Sequence, residues 1–343
     1  MNTKILGLIA LGFVIVIPLW FILSRISQEA TFNIAEPTAI SQTPEPIWPL
    51  RAIDTVKYSR DIAREKSKDA SFSAEIDLQI KNIADTGASH VAIGTPYDEE
   101  FLPFLRQWVT SARKHRLKVM FRGNLSGWEG WFEYKDITRE QHIAGIENFI
   151  LKNQDLFQDG DIFSSCTECE NGGPGDPRMN GDVKGHREFL IKEYNMMKRT
   201  FKKINKDVDA NYFSMNGDVA RLVMDKETTK ALDGLIVIDH YVDSVEQLDE
   251  DITEMAEDSG GKVVLGEWGA PIPDINGKMT EAEQAAWIAD AFKVLEKNDN
   301  LVGINYWTHM GSSTQLWNDD NVARPVVEVL KIYYSKMVIK KPL

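Results

Sequence analysis

The chain has 343 residues, 43% of them hydrophobic and 27% charged, a composition that suits a globular protein with a sizeable core. A formal net charge of −13 argues against a nucleic-acid partner, because phosphate binding needs a basic surface. The length accommodates one barrel of roughly 250–300 residues or two smaller domains.

Ile5 to Ser24 carries no charged residue, with Lys4 before it and Arg25 after it. At about 1.5 Å per residue this run spans the hydrocarbon core of a bilayer. A cleaved signal peptide is the other reading. Its apolar region would be about 7–15 residues, and no small-x-small cleavage site stands between Ser24 and Ala35. Residues 1–26 are therefore expected to be a membrane anchor or signal. The basic-residue bias puts the N-terminus in the cytoplasm and the rest of a single-pass cell-membrane protein outside it. Residues 27–50, with Pro37, Pro44, Pro46 and Pro49, read as a linker.

From Arg51 short apolar runs alternate with longer amphipathic ones. The predicted strands are Ile53–Tyr58, His90–Gly94, Lys118–Arg122, Asp161–Thr167, Ala210–Ser214, Leu235–Ile238, Lys262–Gly266 and Leu301–Tyr306. Predicted helices lie between and after them, the last over Ala323–Met337; Thr280-Glu-Ala-Glu283 opens one as a capping box. Eight strand–helix units are the number that closes a (β/α)8 barrel, and short apolar strands suit a sheet covered by helices. An open doubly wound sheet would use fewer strands, and no G-x-G-x-x-G follows the first strand. The expected fold is α/β: a (β/α)8 TIM barrel over residues 51–337 preceded by an N-terminal transmembrane helix.

Residues that do chemistry in such barrels lie at the C-terminal strand ends. Those ends read Phe121-Arg122-Gly123-Asn124, Thr167-Glu168-Cys169-Glu170-Asn171, Asp239-His240-Tyr241, Glu267-Trp268-Gly269 and Asn305-Tyr306-Trp307. One His or Trp at such a place is ordinarily a packing residue; five ends with the same tendency are harder to call accidental. A buried strand has little use for a carboxylate at its tip, so Glu267 marks chemistry. Glycosidic bond cleavage needs two carboxyl groups, one ionised and one protonated, about 5–5.5 Å apart in a retaining enzyme. Burial and mutual charge would split the two pKa values, with Glu267 expected to be the ionised partner. The loop Gly127-Trp128-Glu129-Gly130-Trp131-Phe132-Glu133-Tyr134 either stacks against sugar faces or packs on the barrel.

With these motifs the chain resembles the clan A glycoside hydrolases, retaining (β/α)8 enzymes whose acid/base Glu closes strand four and whose nucleophile Glu closes strand seven. The resemblance is specific at Gly266-Glu267-Trp268-Gly269, His240-Tyr241 and Asn305-Tyr306-Trp307. It implies that Glu267 is the nucleophile and Glu168 the acid/base, that Tyr241 hydrogen-bonds Glu267 and that Trp307 floors a sugar site. Arg122 or Asn124 would hold the nucleophile or a sugar hydroxyl. Trp128, His240 and Trp268 complete the expected substrate-binding set. Glu170 is the alternative acid/base; two residues from Glu168, it would face the same way on a continuing strand. The family's Asn before the acid/base Glu is Thr167 here, which leaves open a non-catalytic carbohydrate-binding descendant. The implied partner is a β-linked oligo- or polysaccharide.

Cys166 and Cys169 are the only cysteines. They form either a disulfide that stiffens the loop bearing Glu168 or a pair of unlinked thiols; two thiolates do not complete a zinc site. The six His show no H-x-x-x-H or H-E-x-x-H spacing, and neither a metal nor a cofactor is expected.

Overall fold

The computed structural model describes residues 44–339; the expected anchor and most of the expected linker lie outside the described residues. Among the described residues no helix is long and apolar enough to cross a membrane.

Nine parallel strands make one curled sheet. Across it stand Val208–Asp209, Asp161–Phe163, Lys118–Phe121, His90–Ile93, Leu50–Asp54, Leu301–Tyr306, Lys262–Trp268, Leu235–Asp239 and Ser214–Asn216. The two edge strands are pieces of one stretch of chain, parted by residues 210–213. The Glu168 backbone N–H donates to the Ser214 carbonyl at 2.7 Å, tying the loop after Asp161–Phe163 to the strand at the far end of the order. The architecture is TIM-barrel-like, with the fifth of the expected units divided in two.

Three expected boundaries are corrected. The predicted fifth strand, Ala210–Ser214, falls mostly in the gap: Ala210 and Phe213 are apolar because they are buried, not because they pair in the ladder. The first strand is Leu50–Asp54 rather than Ile53–Tyr58, which brings Asp54 to a strand tip. The expected linker ends too late. Trp48 is 1% exposed and packs on Phe292, with ring centroids 5.8 Å apart, and Glu45–Pro46 pairs antiparallel with Met337–Val338.

Inside the curl Leu50, Ala52, Ala92, Met120, Ile162, Val237 and Val264 form a small core. A larger one lies between strands and helices and includes Ile76, Trp108, Ile146, Phe189, Leu248, Ile288 and Leu330. Burial on both faces is why a strand such as Lys262–Trp268 reads as an apolar run. Capping boxes at Thr138 and Thr280 fix the starts of Arg139–Lys152 and Glu281–Leu295. The parallel arrangement gathers the C-terminal strand ends, with their polar residues, on one rim.

Candidate active site

Glu267 is the penultimate residue of Lys262–Trp268, and both of its oxygens are held. Arg122 donates from Nη2 to Oε1 at 3.0 Å, and the Tyr241 hydroxyl donates to Oε2 at 3.0 Å. Through Nη1 the same guanidinium pairs with Asp54 Oδ2. Its Nη2 also reaches Ser214 Oγ at 3.1 Å and stands 3.7 Å from Asp239 Oδ2. Ser214 donates to Asp239 Oδ2 at 3.1 Å, and Asn305 donates to Asp54 Oδ2 at 3.2 Å and to the Gly266 carbonyl at 2.7 Å. Gly266 makes room for this cluster: a Cβ there would stand 2.6 Å from Asp239 Oδ1 and 2.7 Å from Ser214 Cβ.

Three carboxyl groups thus face one guanidinium where little water screens them. Burial works against the Arg122 charge, but Asp54, Glu267 and Asp239 outweigh it and raise its pKa. Burial, with the Glu267 charge, drives Asp239 well above the usual carboxylate range. Glu267 is pushed up to about 7, chiefly by burial, with Arg122 opposing the rise and the Glu168 and Asp54 charges adding to it. Its side chain keeps 15% exposure, so it meets the rim. Burial thus moves the Glu267 titration toward neutrality, while Arg122 favours its ionised form.

Strand Asp161–Phe163 stops short, so Glu168 and Glu170 do not share a strand face as expected. Glu168 sits in the left-handed region at φ 48° and ψ 56°, and a 3-10 turn over Cys169–Asn171 follows it. The half-buried Glu168 accepts from Asn171 Nδ2 at 3.0 Å and lies within electrostatic reach of Glu267. Glu170 is 3% exposed; its Oε1 accepts the Asn216 backbone N–H at 2.8 Å, and its Oε2 has no hydrogen-bond partner among the described residues. Burial pushes Glu170 up to about 7. Thr167 turns its hydroxyl to the Arg122 carbonyl at 3.3 Å. Cys166 and Cys169 are joined as a disulfide that brackets Thr167 and Glu168.

The aromatic expectations divide. Trp307 is half-buried beside Tyr241, ring centroids 6.1 Å apart, with Lys57 Nζ 5.2 Å from its ring. Trp128 and Trp268, expected to touch sugar, are core residues instead. Trp128 donates its indole N–H to the Cys169 carbonyl at 3.0 Å and stacks on Phe189 at 4.9 Å. Trp268 lies between Phe292 and Tyr306, because the residue after Glu267 points to the other face of the strand. Asn124, also expected at the substrate, is wholly buried and uses its amide on Glu129, Leu125 and His142. His240 pairs with Asp251 at 2.7 Å and lines a cavity of about 400 Å³ with Asn216, Asp239 and Tyr241. A larger recess of about 680 Å³, beside Lys198, Lys202 and Asp207, shares no residue with this cluster. Among the described residues no three His, Cys, Asp or Glu side chains converge as metal ligands.

Sequence reasoning placed Asp239 at a strand end without giving it a role, and missed Asp54 and Ser214 as members of the cluster. Asp54 and Asp239 each close an apolar run, the signal that marked Glu267; Ser214 offered none.

A curled parallel sheet clothed in helices, with acidic residues at the strand tips, is an architecture that glycoside hydrolases share. No protein-family model matches the sequence and no curated protein matches it; the likeness is one of fold. A family 5 subfamily 18 glycoside hydrolase of Bifidobacterium longum subsp. longum, solved with Manβ1-4GlcNAc, superposes with a TM-score of 0.59 at 13% identity, over 83% of this chain and 78% of that one. A family 39 glycoside hydrolase of Bacteroides cellulosilyticus gives 0.56 at 12% identity, over 84% and 64%. The β-D-glucuronidase of Dictyoglomus thermophilum gives 0.55 at 17% identity over 85% of this chain, which spans about half the length of that enzyme. A clan A (β/α)8 architecture is consistent with all three.

Proposed function

We propose that this chain is a retaining glycoside hydrolase acting on a β-linked oligo- or polysaccharide. The observation that carries the reading is the hold on Glu267: Arg122 and Tyr241 bind one oxygen each and leave the carboxyl partly exposed at the rim. In this reading the sheet is a closed (β/α)8 barrel. Ionised Glu267 attacks the anomeric carbon while Glu168 gives its proton to the leaving oxygen. Glu168 then takes a proton from the water that releases the sugar. Glu170 is the alternative donor, since its burial favours the protonated form near neutrality. Trp307 floors the sugar site, and Tyr241 and His240 line it. The fold shared with solved glycosidases supports the class.

The test is an assay of the full chain on aryl β-glycosides and soluble β-glucans and mannans. Glu267→Ala abolishes turnover, and azide restores it with inverted product. Full activity in Glu267→Gln refutes the nucleophile.

One observation favours a second reading, a carbohydrate-binding protein without turnover. The Thr167 hydroxyl, standing where the resemblance expects an Asn that contacts sugar, is spent on the Arg122 carbonyl. Calorimetric glycan binding with no hydrolysis selects that reading. We also propose that residues 5–24 anchor the domain outside the cytoplasm; membrane fractionation with protease accessibility in intact cells tests this.

A further inference from the structure

Glu129 stands outside the carboxyl groups assigned to bond cleavage, yet its surroundings are built. Its Oε1 accepts Asn124 Nδ2 at 2.7 Å. The Asn124 amide has a fixed orientation, because its Oδ1 receives the Leu125 backbone N–H at 2.7 Å and that group only donates. The same Oδ1 faces His142 Nε2 at 2.9 Å, so this nitrogen carries the hydrogen. The other ring nitrogen, Nδ1, stands 3.2 Å from Glu193 Oε1, and both of these side chains are 0% exposed. Trp128 closes over the imidazole, ring centroids 4.7 Å apart. Close polar contacts therefore run from the buried Glu193, His142 and Asn124, between the helices Arg139–Lys152 and Val183–Lys203, to the half-buried Glu129, which lies within electrostatic reach of Glu168 and Glu170; the Glu193–His142 step is a close approach rather than a hydrogen bond.

The charges around Glu129 are Glu168 and Glu170, which oppose its ionisation, and Arg60, which favours it. Arg60 is itself engaged with Asp61 at 2.9 Å and lies over the Trp131 ring. Burial is the largest influence and pushes Glu129 up to about 8. A neutral carboxyl whose Oε1 accepts from Asn124 carries its hydrogen on Oε2, the oxygen left free of protein partners among the described residues. Packing alone gives no reason for an acid here, because burying a carboxyl without a close cation is costly and an amide would fill the same space.

We propose that Glu129 contacts substrate, donating a hydrogen bond from Oε2 to a sugar hydroxyl, and that Asn124 and His142 are positioning residues that aim it. The inference rests on the glycosidase reading and deepens it by naming a recognition group for the sugar.

Two measurements on the full chain test it. Infrared difference spectra at pH 7 between wild type and Glu129→Gln report protonation whether or not the protein turns over. A protonated carboxyl missing from the variant is expected; a missing carboxylate overturns the proposal. Steady-state kinetics on the most rapidly hydrolysed p-nitrophenyl β-glycoside report the contact. Glu129→Ala raises KM about tenfold, the effect of one hydrogen bond, with kcat nearly unchanged. Glu129→Gln keeps a donor and holds KM, and it removes the rise in KM that the wild type shows above about pH 8. Asn124→Ala, checked for folding by its melting curve, moves that rise to higher pH, because the amide favours the ionised form. Unchanged KM in Glu129→Ala overturns the contact, and an unmoved pH profile in Asn124→Ala overturns the positioning. If no glycoside is hydrolysed, the hydrolase reading fails by itself. Calorimetric binding of cellobiose to wild type and Glu129→Ala then replaces KM, and equal affinities overturn the contact.

Discussion

Arg122 and Glu267, 145 positions apart in sequence, meet at 3.0 Å between Nη2 and Oε1. The carboxyl is thus positioned by a cation that Asp54 and Asp239 also hold in place. Arg122→Met leaves these buried carboxyl groups without their cation. It is expected to cost about 3–5 kcal/mol, read from the denaturant midpoint. Arg122→Lys keeps the charge but not the fork, and lowers kcat/KM by about 10²-fold while the protein stays folded.

Tyr241→Phe deletes the donor to Glu267 Oε2. A hydrogen bond to the ionised form favours that form, so its loss raises the Glu267 pKa further. With Glu267 pushed up to about 7, activity that needs its carboxylate falls as pH drops through that value. The variant moves this acid limb to higher pH and lowers kcat/KM about tenfold at pH 7. A pH–rate profile of the two proteins checks both expectations.

Stability carries its own pH signature. Glu129, Glu170 and Glu267 titrate near 8, 7 and 7 in the fold, against about 4.3 in an unfolded chain. The native state therefore keeps protons that the unfolded state has released. The stability this contributes is full below about pH 4 and is lost as pH rises through about 7–8. Calorimetric melting temperatures are expected to fall between about pH 5 and 9, less steeply in Glu129→Gln.

The Cys166–Cys169 bond brackets a Glu168 held in left-handed backbone. Cys166→Ser with Cys169→Ser removes a very short closed loop, worth about 2 kcal/mol on the chain-entropy account. Its larger expected effect is on kcat, because the loop bearing the proposed proton donor loses its clamp. Melting curves and turnover of the double variant, beside dithiothreitol-treated wild type, separate the two effects.

Two tryptophans should behave oppositely. Trp128→Ala empties a packed site and is expected to cost about 3–5 kcal/mol of stability. Trp307→Ala, at a half-buried ring beside Tyr241, leaves the melting temperature nearly unchanged and raises KM.

Much of this was legible in the sequence because strands covered on both faces are apolar runs and a carboxylate closing such a run stands out. Strand Lys262–Trp268 and Glu267 were found that way. What stayed hidden depends on direction and register. Trp268 follows Glu267 yet faces the core, and Trp128 sits in a Trp-rich loop whose packing no local pattern fixes. Asp54 was concealed by a first strand read three residues late. The meeting of Asp54, Ser214 and Asp239 at one guanidinium exists only once the sheet has curled.

The interrupted fifth stretch has a dynamic side. Backbone opening costs least where a ladder is broken, so residues 210–213, between the two edge strands, are expected to exchange their amide hydrogens soonest. Two hydrogen bonds, from the Glu168 N–H to the Ser214 carbonyl and from the Asn216 N–H to Glu170 Oε1, join the strand after that seam to the loop of the proposed proton donor. Motion admitted at the seam therefore reaches Glu168, and through Ser214 Oγ, 3.1 Å from Arg122 Nη2, it also reaches the guanidinium that holds Glu267.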